Sequence, residues 1–175
     1  MKKTLVFFFL IAATTLTFAQ TVQQKTGWVN FQSIMQQYPL AIKAQSDLDV
    51  YVSKKTRELD SMKVALQNDY ANYQKQAASM TPEAKKTMEQ DITTKSQALE
   101  QYQQKIFAQP NGEVYLKNEE LFAPIKEKIF AAIEAIAKEE GMKYVLDRST
   151  EAIVIYADSE FDITYKVLDR LNRKK

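Results

Sequence analysis

Residues 41–80 read AIKAQSDLDVYVSKKTRELDSMKVALQNDYANYQKQAASM, forty positions without a glycine or a proline. Gln, Lys, Asp, Ala, Leu and Met dominate, and most are good or tolerated helix residues. A helix of that length extends roughly 60 Å at 1.5 Å per residue. A small globular domain cannot enclose such a rod, so the apolar period must say what the rod packs against. Steps of four and three from Leu48 pass Val52, Lys55, Leu59, Met62, Leu66, Asp69, Tyr73, Gln76 and Met80. Seven of these ten positions are apolar, the mark of a coiled-coil seam.

The next residues, Thr81-Pro82-Glu83, predict a new helix start. Thr81 can cap, Pro82 suits the first helical position, and Glu83 complements the helix dipole. A second seam runs Met88, Ile92, Lys95, Leu99, Tyr102, Ile106 and Gln109, with five of seven apolar. Each seam is too narrow to be buried by anything but a partner helix. Residues 41–109 are therefore expected to form an antiparallel helical hairpin, in preference to one long helix kinked at Pro82.

Outward from this arm lie two flanks. Gly27-Trp28-Val29-Asn30-Phe31 predicts a short strand, and Gln32 to Tyr38 one or two helical turns stopped by Pro39. Gln109-Pro110-Asn111-Gly112 breaks the returning arm. Helical spacing resumes from Glu113 to Glu140, but Pro124 disfavours helix at Ala123. The final long helix is expected to begin at Pro124 and to end at Gly141 as a left-handed C′ residue. Lys143 to Asp147 and Ala152 to Tyr156 predict two strands of a hairpin turning at Arg148 to Glu151. Asp162 predicts a cap for a last helix with Ile163, Val167, Leu168 and Leu171 turned inward.

The fold class expected is α+β and mostly helical. A small β body is built from residues 20–40 and 110–175, and the arm of 41–109 is inserted between. Such a body buries only a small core, and its few short strands leave edges that need cover. Both features argue for oligomerisation through the body. Trp28, Phe31, Ile153 and Ile155 are the candidate interface residues, so deleting Ala44 to Gln104 should leave an oligomer.

Residues 1–19 stand apart. Met1-Lys2-Lys3 is positive, Leu5 to Phe18 is apolar, and Thr17-Phe18-Ala19 offers a cut before Gln20, the pattern of a secretory signal peptide. The apolar run is shorter than the ~20 residues of a spanning helix. The mature protein is expected to be exported, with no integral membrane segment after cleavage. Removing Lys2 and Lys3 leaves 22 basic and 22 acidic residues, so the +2 charge of the full chain belongs to the leader.

Composition excludes much chemistry. Among 175 residues there is no cysteine and no histidine, and only 3 are glycine. Disulfides, thiolate or imidazole catalysis, zinc fingers and haem ligation are ruled out. No catalytic residue, metal ligand or cofactor site is identified, and an enzyme is not expected. Glu119-Glu120 and Glu139-Glu140 read as solvated helix faces, and the basic end Arg173-Lys174-Lys175 is weak evidence for a lipid contact.

The order of these elements resembles the Skp/OmpH family of periplasmic chaperones across essentially the whole mature chain. The residues carrying the resemblance are Gly27 to Phe31, Tyr38-Pro39, Pro124-Ile125, Gly141 to Asp147, Ile153 to Ala157 and Asp162-Ile163-Thr164. The resemblance implies a periplasmic homotrimer whose bodies associate while three helical hairpins project as tentacles. It implies an ATP-independent holdase that cages unfolded outer-membrane β-barrel proteins, needs no cofactor and binds no nucleic acid. Family arms are often strongly basic. Here residues 41–109 carry ten Lys/Arg and nine Asp/Glu, which leaves electrostatic capture of clients unsupported.

A holdase needs adaptable apolar contacts without a fixed pocket, which suits Met and Tyr. Off the seam, Val50, Val64, Ala71 and Ala78 share one heptad position, with Arg57 between them. Tyr51, Tyr70 and Phe107 also lie off it. The client-contact candidates are Val50, Tyr51, Val64, Tyr70 and Phe107. The alternative is a structural envelope protein whose coiled-coil arms hold one folded partner.

Overall fold

A computed structural model describes residues 24–149 and 154–173. The expected signal peptide and Ile153 lie outside the described residues. The chain order is β1 (Thr26–Val29), α1 (Phe31–Gln37), α2 (Pro39–Gln76), α3 (Pro82–Phe107), α4 (Glu113–Glu139), β2 (Tyr144–Asp147), a 3-10 turn (Ser159–Phe161) and α5 (Thr164–Arg173). Helix dominates, with a two-stranded sheet at one end.

Local chemistry accounts for most boundaries. Three successive amides at the start of α1 are satisfied by side chains: Phe31 N–H donates to Asp147 Oδ1 (3.2 Å), Gln32 N–H to Ser149 Oγ (2.9 Å) and Ser33 N–H to Asn30 Oδ1 (2.8 Å). Tyr38 is extended at ψ 118°, as a residue before proline prefers, and Pro39 opens α2. Thr81 Oγ1 accepts from the Ala84 amide at 3.3 Å and Pro82 starts α3. The end of α4 is a Schellman turn. Gly141 has φ +67° and its N–H donates to Lys138 O, while Met142 N–H donates to Ala137 O. Asp162 Oδ1 accepts from the Thr164 amide at 2.8 Å and so steadies the start of α5.

Two expectations are corrected. The first concerns Pro124, which lies inside α4 rather than at its start. Phe122 and Ile125 on either side are both buried, as are Ile129, Ala132 and Ile136 beyond them. That continuous apolar stripe packs the helix on both sides of the proline, and packing supplies most helical stability. Pro124 itself faces solvent and forfeits one backbone hydrogen bond. Pro124→Ala restores that bond and is expected to raise stability by about 1–3 kcal/mol, read as a higher urea midpoint.

The second concerns the sheet. Tyr144–Asp147 does not pair with 154–156, which form no strand, and Ala152 and Ile153 lie outside the described residues. It pairs in parallel with β1, in the register Thr26↔Tyr144, Gly27↔Val145, Trp28↔Leu146, Val29↔Asp147. A parallel pair needs a long crossover, and here α1 to α4 provide it. Gly27 permits the close fit: a Cβ there would lie 2.2 Å from Met142 Sδ. On the far side of β1, Ile163 N–H donates to Trp28 O at 3.0 Å, so among the described residues β2 is an edge of the sheet.

The inner face of the sheet and helices α1, α4 and α5 enclose one core around Val29, Ile34, Ile129, Ile163 and Val167. The first turns of α2 join it through Ala41, Ala44 and Leu48. A deletion starting at Ala44 would therefore cut into the core.

Beyond Leu48, α2 packs first against α4 and then against α3. Contacts between α2 and α3 run in opposite chain directions: Glu58 with Tyr102, Asp69 with Lys95, Tyr73 with Glu89. Two of the polar positions that interrupt the seams find each other, since Lys95 Nζ lies 2.8 Å from Asp69 Oδ2. A polar pair on an apolar seam sets register.

Candidate functional site

With two helices alone, each seam is covered from one side. Leu59 and Ile106 are buried, whereas Met62, Leu66, Tyr73, Met88, Ile92 and Leu99 remain half-exposed. Four apolar side chains off the seam are more open. Val50 is 66% exposed, Val64 54%, Tyr70 52% and Phe107 39%. These four stand on the open surface of α2 and α3. Val50 and Val64 fall on one column of α2, with Arg57 between them, whose Nε donates to the Ser53 carbonyl and not to an acid.

Tyr51 differs from the other four. It is half-buried, its hydroxyl donates to Glu113 Oε2 at 2.9 Å, and the Lys55 ammonium sits 5.6 Å from its ring centre. Burial and the Glu113 carboxylate push its hydroxyl pKa up. Its hydroxyl is therefore held by Glu113 while its ring stays partly open.

Periodicity along the arm passed over Ile42 on α2, which is 52% exposed. It borders a groove of about 460 Å³ floored by Met35, Ala41 and Phe122. The signal for it was available: Ile42 lies eight residues, about two turns, before Val50 and so on a neighbouring stripe.

At the sheet end, Trp28 is half-buried. Its Nε1 donates to the Asp158 carbonyl at 2.8 Å, and the Arg148 guanidinium stacks 5.0 Å from its ring. Phe31 stacks on Phe130 with ring centres 5.5 Å apart, and Phe130 is 57% exposed. Ile155 is 90% exposed. Side chains directly opposite in a sheet share a face, so Trp28 and Leu146 stand together, with Tyr144 beside them. Tyr144 is 61% and Leu146 44% exposed. Tyr144-Val145-Leu146 is a continuous apolar run, so the sequence marks a strand there without marking which face turns outward.

Many of the titratable groups among the described residues form surface ion pairs. Glu139 pairs with Arg170 at 2.6 Å, and Glu140 pairs with Lys166 and, at 3.3 Å, with Lys25. Among the described residues, no group of three acidic side chains could hold a metal ion. None of the described helices is long and apolar enough to cross a membrane.

Comparison with known proteins follows the same lines. The family described as outer membrane protein (OmpH-like) matches residues 25–171. No curated protein matches the chain. Among solved structures, a crystal structure described as an outer membrane chaperone (OmpH-like) from Caulobacter crescentus CB15 is similar with a TM-score of 0.71. The two share 14% identity over 93% of this chain and 92% of that one. At that identity the likeness speaks for the fold.

Proposed function

Because this chain belongs to the OmpH-like outer membrane protein family, we propose that it is an ATP-independent periplasmic holdase for unfolded outer-membrane β-barrel proteins. In this reading residues 41–109 are a coiled-coil hairpin arm, residues 20–40 and 110–175 are an oligomerisation body, and residues 1–19 are a cleaved export signal. Three bodies associate, and three arms surround the client. The observation that carries the reading is the set of exposed apolar side chains beside a seam that is itself half-open: Val50, Val64, Tyr70 and Phe107. They offer weak contacts spread along α2 and α3, without a pocket that would select one ligand. Exposed apolar patches on soluble proteins mark interaction surfaces.

The apolar face of Trp28, Tyr144 and Leu146, with Tyr144 and Leu146 exposed, supports association through the body. Ile155 lies in the segment that follows. Light scattering of the mature chain should return the mass of three subunits.

A photo-crosslinker placed at Val64 tests the client surface. It should capture an unfolded β-barrel protein freshly diluted from urea, and not the same protein folded in detergent. Equal capture of both forms would contradict the proposal. The near-neutral arm, with ten basic and nine acidic residues, favours a second reading, an adaptor for one folded partner. Stoichiometric capture of a single folded protein is the outcome that reading requires.

A further inference from the structure

At residues 108–112 the return path of the arm is interrupted, whereas α2 passes the same level unbroken. Above this level α2 packs on α3, and below it on α4. The three helices meet at one carboxylate. Glu113 is the first residue of α4. Its Oε2 takes the Lys55 ammonium at 2.8 Å and the Tyr51 hydroxyl at 2.9 Å, both from α2. Its Oε1 takes the Lys105 ammonium at 3.1 Å, from the last turn of α3. We propose that Glu113 is a pin that ties the broken return path to the continuous helix and fixes the angle of the arm on the body.

The surroundings favour a strong contact. An isolated pair on open surface contributes little. Here the side chains of Lys55 and Glu113 are only 18% and 26% exposed. Lys55 also lies 3.8 Å from Glu58 and 5.9 Å from the Tyr102 ring centre, and Tyr102 in turn donates to Glu58. Lys55, Lys105 and Tyr51 together hold the Glu113 carboxyl down at about 2. Both helix dipoles agree with the charges, an acid at the start of α4 and a base at the end of α3. The break itself is tight: Gly112 N–H donates to Ala108 O at 2.7 Å, and a Cβ at Gly112 would lie 2.4 Å from that oxygen.

The inference rests on the holdase reading for its use, because arm angle would set the width of the space between arms. Its test needs no client, so either can fail alone. The chain has no cysteine, so Asn68→Cys and Glu127→Cys carry spin labels at unique sites. Both positions are exposed, and they flank the pin about 40 Å apart along the two helices. One labelled chain is diluted into an excess of unlabelled chain, and the distance distribution is read by pulsed dipolar spectroscopy. Glu113→Gln should broaden the distribution to roughly twice its native width as the root loosens locally. Asp91→Asn, on the arm away from the pin, should leave it unchanged. Lys105→Met cuts only the bond across the break and keeps Lys55 on its carboxylate. It provides the same reading if Glu113→Gln fails to fold. A native width in the folded variants would overturn the pin.

Discussion

Ile129→Ala is expected to destabilise the body by about 2–5 kcal/mol, a large share of the stability of any domain this size. Ile129 is 0% exposed and belongs to the one core that includes Ile34 from α1, Ala44 from α2 and Val167 from α5. Truncation removes three methyl-sized groups and leaves a cavity that four packed elements must relax around. A urea titration at fixed protein concentration measures it, since the stability of any chain that associates depends on concentration. Glu127→Ala, two residues away and exposed, should move the midpoint little. Equal, small shifts for both variants would show that the core is not centred where the packing puts it.

Excising Thr56 to Gln104 and closing the gap with a short flexible linker is expected to abolish protection of clients while leaving a folded oligomer. The cut spares Ala44 and Leu48 in the core and Val52 packed against it. It also spares Lys55, Lys105 and Glu113, whose contacts bring the two ends of the gap together. Val64 and Tyr70 leave with the arm. Circular dichroism and light scattering report the body, and turbidity of a diluted β-barrel protein reports protection. Full protection by the shortened chain would place client binding on the body. A shortened chain that is a folded monomer would place the subunit contacts on the arm.

Much of this molecule could be read from local sequence. The seams from Leu48 to Gln76 and from Met88 to Ile106 appear because a helix repeats its buried face every three or four residues, whereas Met80 falls past the end of α2. The caps at Thr81 and Gly141 appear because only certain residues satisfy helix ends or tolerate φ of +67°. The features missed depend on partners distant in the chain. Tyr144–Asp147 looked like half of a local hairpin because a strand carries no mark of the partner it takes 118 residues earlier. Pro124 looked like a helix start because its local cost is plain, while the packing of Phe122 and Ile125 that outweighs it is not. Glu113 marks only where helical spacing resumes in the sequence, and its value comes from Lys55 and Lys105 arriving from other helices. Among the surface candidates, the exposed Val50, Val64, Tyr70 and Phe107 were identifiable by subtraction from the seam. Tyr51 was picked by the same subtraction, but Glu113 engages its hydroxyl and anchors it.

The arm's uncovered apolar side chains should make this protein a holdase, and an aggregation assay puts that to the test. An outer-membrane β-barrel protein is diluted from urea into buffer with the purified mature chain, without nucleotide, and light scattering is followed in time. Scattering should fall as the chain is added and reach its floor near one trimer per client. Scattering that is unchanged at molar excess of trimer would contradict the holdase function.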